Sequence, residues 1–250
     1  MFPAMLKRFE GRVALITGAA SGIGLATAQR LAAEGAARLV LVDREQSNYD
    51  LPCAVSAVTG DVADEALWDS LDLTGIDLAV VNAGVAGASM IAAHDFAEWR
   101  RILSVNLDGA FLTLRAAMRA MQGSRGSIVL TASAAGVKAE PGVAAYGCSK
   151  AALIHLAKVA AKEGAAEGIR VNAIAPAGVE TPVWDAVPMF AERAAQIGRD
   201  AAFAEMAKLA TPLGRYAKAD EIAAQIAFLL SDESALTTGA VLLSDGGYTL

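Results

Sequence analysis

The chain has 250 residues, of which 55% are hydrophobic and 19% charged, with a net charge of −6. That length allows one large domain or two small ones. The acidic balance argues against nucleic acid or an anionic membrane as a main partner. The uncharged stretch Leu78 to Ala93 is interrupted by Asn82, Gly84 and Gly87, and it is too short for a membrane span of ~20 residues.

Near the amino terminus, Lys7 and Arg8 are followed by no apolar run of the kind a signal peptide carries. The first predicted strand is Val13–Thr17. A glycine-rich turn, Thr17-Gly18-Ala19-Ala20-Ser21-Gly22-Ile23-Gly24, then opens into a predicted helix over Ile23–Glu34. Strands follow at Leu39–Asp43 and Ala54–Val58. Between them, Arg44 to Pro52 holds Asn48, Asp50 and Pro52 where a helix would otherwise be expected. The next crossover, Asp64 to Gly75, is also brief, so one helix on this edge should be short or missing. Further along come strand Leu78–Asn82, helix Phe96–Met121, strand Ser127–Thr131, helix Gly147–Gly164, strand Val171–Ala175, helix Asp220–Leu230 and strand Val241–Ser244. The strands are rich in Val, Ile and Leu without polar alternation, which predicts burial on both faces of a parallel sheet. The strand–helix alternation predicts an α/β fold with a doubly wound parallel sheet. No composition shift marks a linker, so residues 1–250 are read as a single domain.

The glycine turn sits between a strand and a helix, the context in which a pyrophosphate rests on a helix N-terminus. Gly18, Ser21, Gly22, Ile23 and Gly24 are the candidate contacts. Asp43 ends the second strand and can accept hydrogen bonds from both hydroxyls of an adenosine ribose, while repelling a 2′-phosphate. NAD is therefore expected over NADP. Arg44 is the dissenting residue, since a guanidinium could pair with that phosphate. Asp61 and Val62 follow the third strand. Asp61 could bond an adenine amino group, or cap a helix over Glu65–Leu71. Asn82, Ala83 and Gly84 end the fourth strand, where small residues let a cofactor lie close.

Tyr146 and Lys150 are spaced to share a helix face, with Ser133 upstream. A phenol loses its proton near ~10, and a neighbouring cation would lower that value into the range of a neutral-pH acid/base. Cys53 and Cys148 lack metal-ligand or redox-motif spacing and read as free thiols of a cytoplasmic protein. His94 and His155 lack a partner set for a metal or a triad, so no metal is expected, and Trp68 and Trp99 read as packing residues.

Taken together, Thr17-Gly18-x-x-x-Gly22-Ile23-Gly24, Asp61, Asn82-Ala83-Gly84, Asn106, Ser133, Tyr146-x-x-x-Lys150, Asn172 and Pro176…Thr181 make the chain resemble the short-chain dehydrogenase/reductase family over almost its whole length. The resemblance implies a seven-stranded Rossmann sheet, hydride exchange with a nicotinamide, and a homotetramer or homodimer. It implies Tyr146 as general acid/base and Lys150 on the nicotinamide ribose. Ser133 would hold the substrate oxygen, and Asn106 a water that relays protons toward Lys150. Pro176, Val179 and Thr181 would lie along the nicotinamide. Thr181 could also be a simple cap before Pro182. Two departures are Val81 where the family usually has Asn, and Ala177 between Pro176 and Gly178.

By the same resemblance, residues 182–212 form a substrate lid. Its apolar residues, Trp184 among them, suggest a mainly apolar alcohol or ketone; they could equally pack the lid onto the body. The expected activity is NAD-dependent interconversion of a secondary alcohol and a ketone. The alternative is an NADPH-dependent 3-oxoacyl thioester reductase, which Asp43 and the acidic charge disfavour. A homotetramer is the expected assembly.

Overall fold

The computed structural model describes residues 7–250. Residues 1–6, part of the amino-terminal stretch considered above for a signal peptide, lie outside that range. The strands are β1 (Val13–Thr17), β2 (Arg38–Asp43), β3 (Ala54–Thr59), β4 (Leu78–Val81), β5 (Gly126–Thr131), β6 (Ile169–Pro176) and β7 (Val241–Ser244). They form one seven-stranded sheet in the order β3-β2-β1-β4-β5-β6-β7, and every pairing is parallel. The chain winds outward from β1 to β3, then returns to place β4 on the other side of β1. This reversal opens a crevice at the carboxyl ends of the strands, where doubly wound folds bind ligands.

The helices are α1 (Gly22–Ala33), α2 (Glu65–Asp69), α3 (Phe96–Leu103), α4 (Gly109–Ala120), α5 (Ala144–Gly164), α6 (Pro188–Ile197), α7 (Arg199–Ala210) and α8 (Ala219–Leu230). Successive strand residues face opposite sides. Leu15 enters the core shared with α4 and α5, while Ala14 and Ile16 enter the core beneath α1 and α8. Both faces of the central strands are therefore covered, as their apolar runs predict. Helices α6 and α7 close a smaller core around Phe190, Phe203 and Tyr216.

Three expectations need correction. The outer strands β3 and β7 contain no fully buried residue. An edge strand has one neighbour only, and no helix joins β2 to β3 to cover that edge. The helix expected over Phe96–Met121 is interrupted by a π-helical turn, Ser104–Asp108, which carries the fully buried Asn106. Helix α5 begins at Ala144, before Gly147. Tyr146 therefore lies within it, a condition the shared-face argument requires. The short crossovers are as expected: α2 spans five residues.

Candidate active site

One cavity of about 740 Å³ runs along the carboxyl ends of the strands, from Asp43 and Gly18 to Ser133, Tyr146 and Trp184. Of the predicted site residues, Gly18, Ser21, Gly22, Ile23, Asp43, Asp61, Val62, Asn82, Ala83, Gly84, Ser133, Tyr146, Lys150, Pro176, Val179, Thr181 and Trp184 all line it. Gly24 and Asn106 do not line it and act on the residues that do.

The glycine turn is built for close packing. Gly18 has φ +66°, and a Cβ there would lie 2.9 Å from the Ala83 Cα and from Asn82 Nδ2. A Cβ on Gly24 would fall 2.0 Å from the Gly18 carbonyl oxygen, so only glycine lets α1 start this close to β1. Asn82 Nδ2 donates to the Thr17 and Gly18 carbonyls at 3.1 and 3.2 Å. Thr17 Oγ1 accepts from the Asn82 and Ala83 amides at 3.0 and 3.2 Å. These bonds fasten β4 to the turn; Thr17 as the fastener was not foreseen, although a threonine ending a buried strand beside a glycine turn is its visible sign. At the start of α1, the N-cap Ser21 makes no side-chain capping bond and the first turn holds no acidic residue. The orphan amides there are left for an anion.

Asp43 is fixed by two backbone amides. Its Oδ2 accepts from Ala20 at 2.8 Å and its Oδ1 from Glu45 at 3.0 Å. A carboxylate thus stands beside the glycine turn, as the ribose reading requires. Asp61 Oδ1 accepts from the Ala63 amide at 2.9 Å. It does not cap α2; Asp64 does, accepting from Ala66 at 3.0 Å. Trp68 is a buried packing residue, its indole donating to the Val62 carbonyl at 3.0 Å.

At the other end of the cavity, Ser133 caps a tight turn after β5, its Oγ accepting from the Ala135 amide at 3.2 Å. Burial pushes the Tyr146 pKa up, and a hydrogen bond with Ser133 opposes that rise. Lys150 is 4% exposed. Its ammonium donates to the Thr131 carbonyl at 2.8 Å and lies 5.7 Å from the centre of the Tyr146 ring. Desolvation lowers its pKa to about 8. The lowering expected from the lysine does not appear: burial raises the Tyr146 pKa, and desolvation lowers that of Lys150. Asn106 uses its side chain to hold a neighbouring loop. Its Oδ1 accepts from the Val85 amide at 2.8 Å, and its Nδ2 donates to the Val85 carbonyl at 3.0 Å and Ser149 Oγ at 3.1 Å. A Cβ on Gly84 would come 3.3 Å from Asn106 Oδ1 and 3.4 Å from Lys150 Nζ.

Beyond β6, Val179 gives its carbonyl to the Trp184 indole at 2.9 Å and to Thr181 Oγ1 at 3.3 Å. Thr181 makes no side-chain capping bond before Pro182. Trp184 stacks on Tyr216 with centroids 5.5 Å apart. It therefore belongs to the small core as well as to the cavity wall. Met189 and Met206 also face the cavity, whereas Phe190 is fully buried in the small core and Leu209 is exposed. Glu140, Tyr216 and Tyr248 line the cavity too. None of the three was foreseen, because only the folded chain brings them to the cavity. Among the described residues, no group of three or more His, Cys, Asp or Glu is placed to hold a metal ion, and no helix is long and apolar enough to cross a membrane.

A glycine turn facing an uncapped helix start, an acid at the second strand and Tyr146 with the buried Lys150 and Ser133 in one cavity define an oxidoreductase that uses NAD(P). The sequence profile of a family described as enoyl-(acyl carrier protein) reductase matches residues 18–249. The chain is 38% identical to 3-oxoacyl-(acyl-carrier-protein) reductase FabG of Thermotoga maritima, over 97% of this chain and 100% of that protein. It is 36% identical to cis-4-hydroxycyclohexanecarboxylate dehydrogenase of Sinomonas cyclohexanicum, over 98% and 99%. The crystal structure of levodione reductase superposes with a TM-score of 0.86 at 36% identity, over 97% of this chain and 99% of that one. Other similar solved structures hold bound NADP. The chain belongs to the short-chain dehydrogenase/reductase family and interconverts a secondary alcohol and a ketone.

Proposed function

We propose that the protein is an NAD-preferring dehydrogenase of a mainly apolar secondary alcohol, with Tyr146 as the general acid/base. The observation that carries this reading is the placement of Ser133, Tyr146 and Lys150 at one end of a cavity whose other end is framed by Gly18 and Asp43. Gly18, Ser21, Gly22 and Ile23 would receive the pyrophosphate, with Gly24 giving the turn its closeness. Asp43 would receive the adenosine ribose and Asp61 with Val62 the adenine. Asn82, Ala83 and Gly84 would lie beneath the cofactor, and Pro176, Val179 and Thr181 beside its nicotinamide. The cofactor supplies the hydride chemistry.

The remaining work falls to the protein. Ser133 holds the substrate oxygen and Tyr146 takes its proton during oxidation. Lys150 keeps a positive charge near the developing phenolate, and Asn106 fixes the Val85 loop behind it. Trp184, with Met189 and Met206, gives the substrate an apolar wall. Residues 182–212 act as the lid.

NADP is the competing cofactor, and Arg44 is the residue that would serve it. Asp43 is already anchored by two amides and cannot swing away from a 2′-phosphate without losing them, which supports NAD. The likeness to a 3-oxoacyl-(acyl-carrier-protein) reductase keeps an NADPH-dependent 3-oxoacyl thioester reductase as the second reading. The net charge of −6 disfavours it, since an acyl carrier is itself acidic.

Exposed apolar side chains support a homotetramer, since they call for cover and two isologous contacts close a set of four. They include Phe96 (72% exposed), Phe111 (47%) and Val159 (39%) on α3, α4 and α5, and Phe228 (41%) on α8 and Leu243 (45%) on β7. The free thiols of Cys53 and Cys148 support a cytoplasmic setting.

A panel of secondary alcohols, assayed at the NADH absorbance with NAD and with NADP, tests activity and cofactor together. Faster turnover with NADP, or reduction of 3-oxoacyl thioesters in preference to simple ketones, would reverse the ranking. Light scattering at micromolar concentration tests the assembly, and a monomer there would rule the tetramer out.

A further inference from the structure

We infer that the substrate carries a second hydroxyl, away from the reacting carbinol, and that Glu140 receives it. The inference rests on the alcohol dehydrogenase reading above and narrows its substrate class.

Glu140 lies on the loop between β5 and α5, seven residues after Ser133, and lines the same cavity as Ser133 and Tyr146. The other carboxylates lining that cavity, Asp43, Glu45 and Asp61, stand at the glycine-turn end. Glu140 is thus the one acid among the lining residues near the reacting group. Trp184, Val187, Met189 and Met206, which line the same cavity, are apolar, so a substrate there meets a greasy wall and one strong acceptor.

The acceptor is built and held. Lys138 Nζ sits 3.5 Å from Glu140 Oε1, donates to the Tyr248 carbonyl at 2.9 Å and lies 4.5 Å from the centre of the Tyr248 ring. Burial, together with the nearby Glu140 carboxylate, keeps the Tyr248 phenol protonated. Asp245 secures the turn that carries Tyr248, accepting from the Gly247 amide at 2.9 Å and from the Thr249 amide and hydroxyl at 2.9 and 2.6 Å. On the other flank, the Gly142 carbonyl accepts from the Ser89 amide at 2.7 Å. Glu140 is therefore fixed between two anchored segments.

The chemistry of this cluster selects among polar groups. A carboxylate only accepts, so it discriminates against a second carboxylate or carbonyl on the substrate. Lys138 already offsets the charge of Glu140 and would repel an ammonium. A neutral hydroxyl donor satisfies the remaining lone pairs. A purely apolar group would take water from Glu140 and replace it with nothing. The Glu140 side chain is 36% exposed, so water softens the penalty. Discrimination of about tenfold fits one hydrogen bond to a charged group, far below the factor a fully enclosed site achieves.

The test is a kinetic comparison of cyclohexanol with the cyclohexanediols, and of 2-hexanol with hexanediols carrying one secondary carbinol, at saturating cofactor. Wild-type protein should show kcat/KM about tenfold higher for the best diol than for the matched mono-ol, mainly through KM. Glu140→Leu should lower kcat/KM for the diol about tenfold more than for the matched mono-ol, and Glu140→Gln should keep part of the diol advantage. Equal treatment of mono-ols and diols by the wild type overturns the inference, and needs no variant to fold. So does an equal loss on both substrate types in Glu140→Leu. Turnover of mono-ols without a diol advantage removes the hydroxyl subsite alone, whereas no turnover of any alcohol with either cofactor removes the dehydrogenase reading and the subsite together.

Discussion

The Lys150 ammonium lies 5.7 Å from the centre of the Tyr146 ring, with its hydrogen bond made to the Thr131 carbonyl at 2.8 Å. Burial holds the phenol above its ordinary pKa and lowers the lysine to about 8. At this distance the phenol and the ammonium can share the loss of one proton. A proton leaving near pH 8 gives either a neutral amine beside a phenol or an ammonium beside a phenolate, and the second form is the base that oxidation needs. The kcat/KM for alcohol oxidation should therefore rise with pH through about 8, and ketone reduction should fall through the same range. Tyr146→Phe should abolish turnover in both directions while leaving cofactor binding, read by fluorescence titration, intact. A flat oxidation profile from about pH 6 to 9 would contradict this pairing.

The same lysine is expected to weaken the fold. Its pKa falls from 10.5 in the unfolded chain to about 8 in the folded one, so the unfolded state holds the proton more tightly. Unfolding takes up a proton between these values; the penalty is full below about pH 8 and fades as the pH climbs toward 10.5. Each tenfold change in proton affinity is worth about 1.4 kcal/mol, which makes the penalty ~3 kcal/mol at pH 7. Lys150→Met should then raise the denaturation midpoint at pH 7 and lose activity, a trade of stability for function. The stabilisation should shrink in melts run near pH 10. A variant less stable than wild type at pH 7 would show that the bond to Thr131 outweighs desolvation.

Asp43 accepts from two amides and faces the cavity as a charge that a 2′-phosphate would meet at once. Asp43→Asn keeps the shape and one acceptor but removes the charge. NAD kcat/KM should fall by about tenfold or more, as expected for losing charged hydrogen bonds, while NADP kcat/KM rises. The ratio of the two, measured on one alcohol, reports the switch. An unchanged ratio would mean that Arg44 or another group sets cofactor choice.

The sheet was legible because its strands are unbroken apolar runs, and only burial on two faces needs such runs. That rule failed at β3, whose Ala54, Val55 and Val58 look like core residues but sit on an edge left bare by the missing β2–β3 helix. The glycine turn, Asp43 and the Tyr/Lys pair were legible because each depends on local spacing along one element. The π-turn at Asn106 was not, since the sequence around it is apolar at helical spacing and the interruption comes from Asn106 reaching across to Val85. Glu140 and Tyr248 lie 108 positions apart, and only the fold makes them one wall. The direction of the tyrosine shift was missed for a similar reason: spacing puts a cation near Tyr146, but burial raises the phenol.

Asn106 is fully buried, and its side chain satisfies the backbone of Val85 at both ends. Asn106→Ala leaves that amide and carbonyl without partners, a loss of about 1–3 kcal/mol. For a chain of this size the melting temperature should drop by roughly 2–4 °C per kcal/mol. If Asn106 serves only to fix the loop, Asn106→Asp, which keeps the acceptor for the Val85 amide, should recover part of both stability and kcat. Recovery of stability without kcat would instead place Asn106 in the proton path.

Arg199 ties the segment after β6 to the cavity wall. Its guanidinium donates to the Thr181 carbonyl at 2.8 Å and pairs with Asp185. It also lies 5.3 and 5.1 Å from the Phe190 and Phe203 ring centres. It is the first residue of α7, so one side chain couples that helix to the segment after β6 that holds Thr181. Exposed ion pairs contribute little, but the stacked guanidinium and the carbonyl bond together are worth about 1–2 kcal/mol. Arg199→Ala should therefore raise hydrogen exchange across Pro182–Ala210 without lowering the midpoint of global unfolding by more than that amount. Both KM values, for cofactor and for alcohol, should rise, because the loosened Thr181 lines the cavity. Arg199→Lys should not restore wild-type behaviour, since an ammonium can neither stack on two rings nor hold the carbonyl and Asp185 in one plane. If exchange across α6 and α7 stays at the wild-type level, these helices are held by the Trp184–Phe190–Phe203–Tyr216 aromatic core alone, and Arg199 is a surface charge.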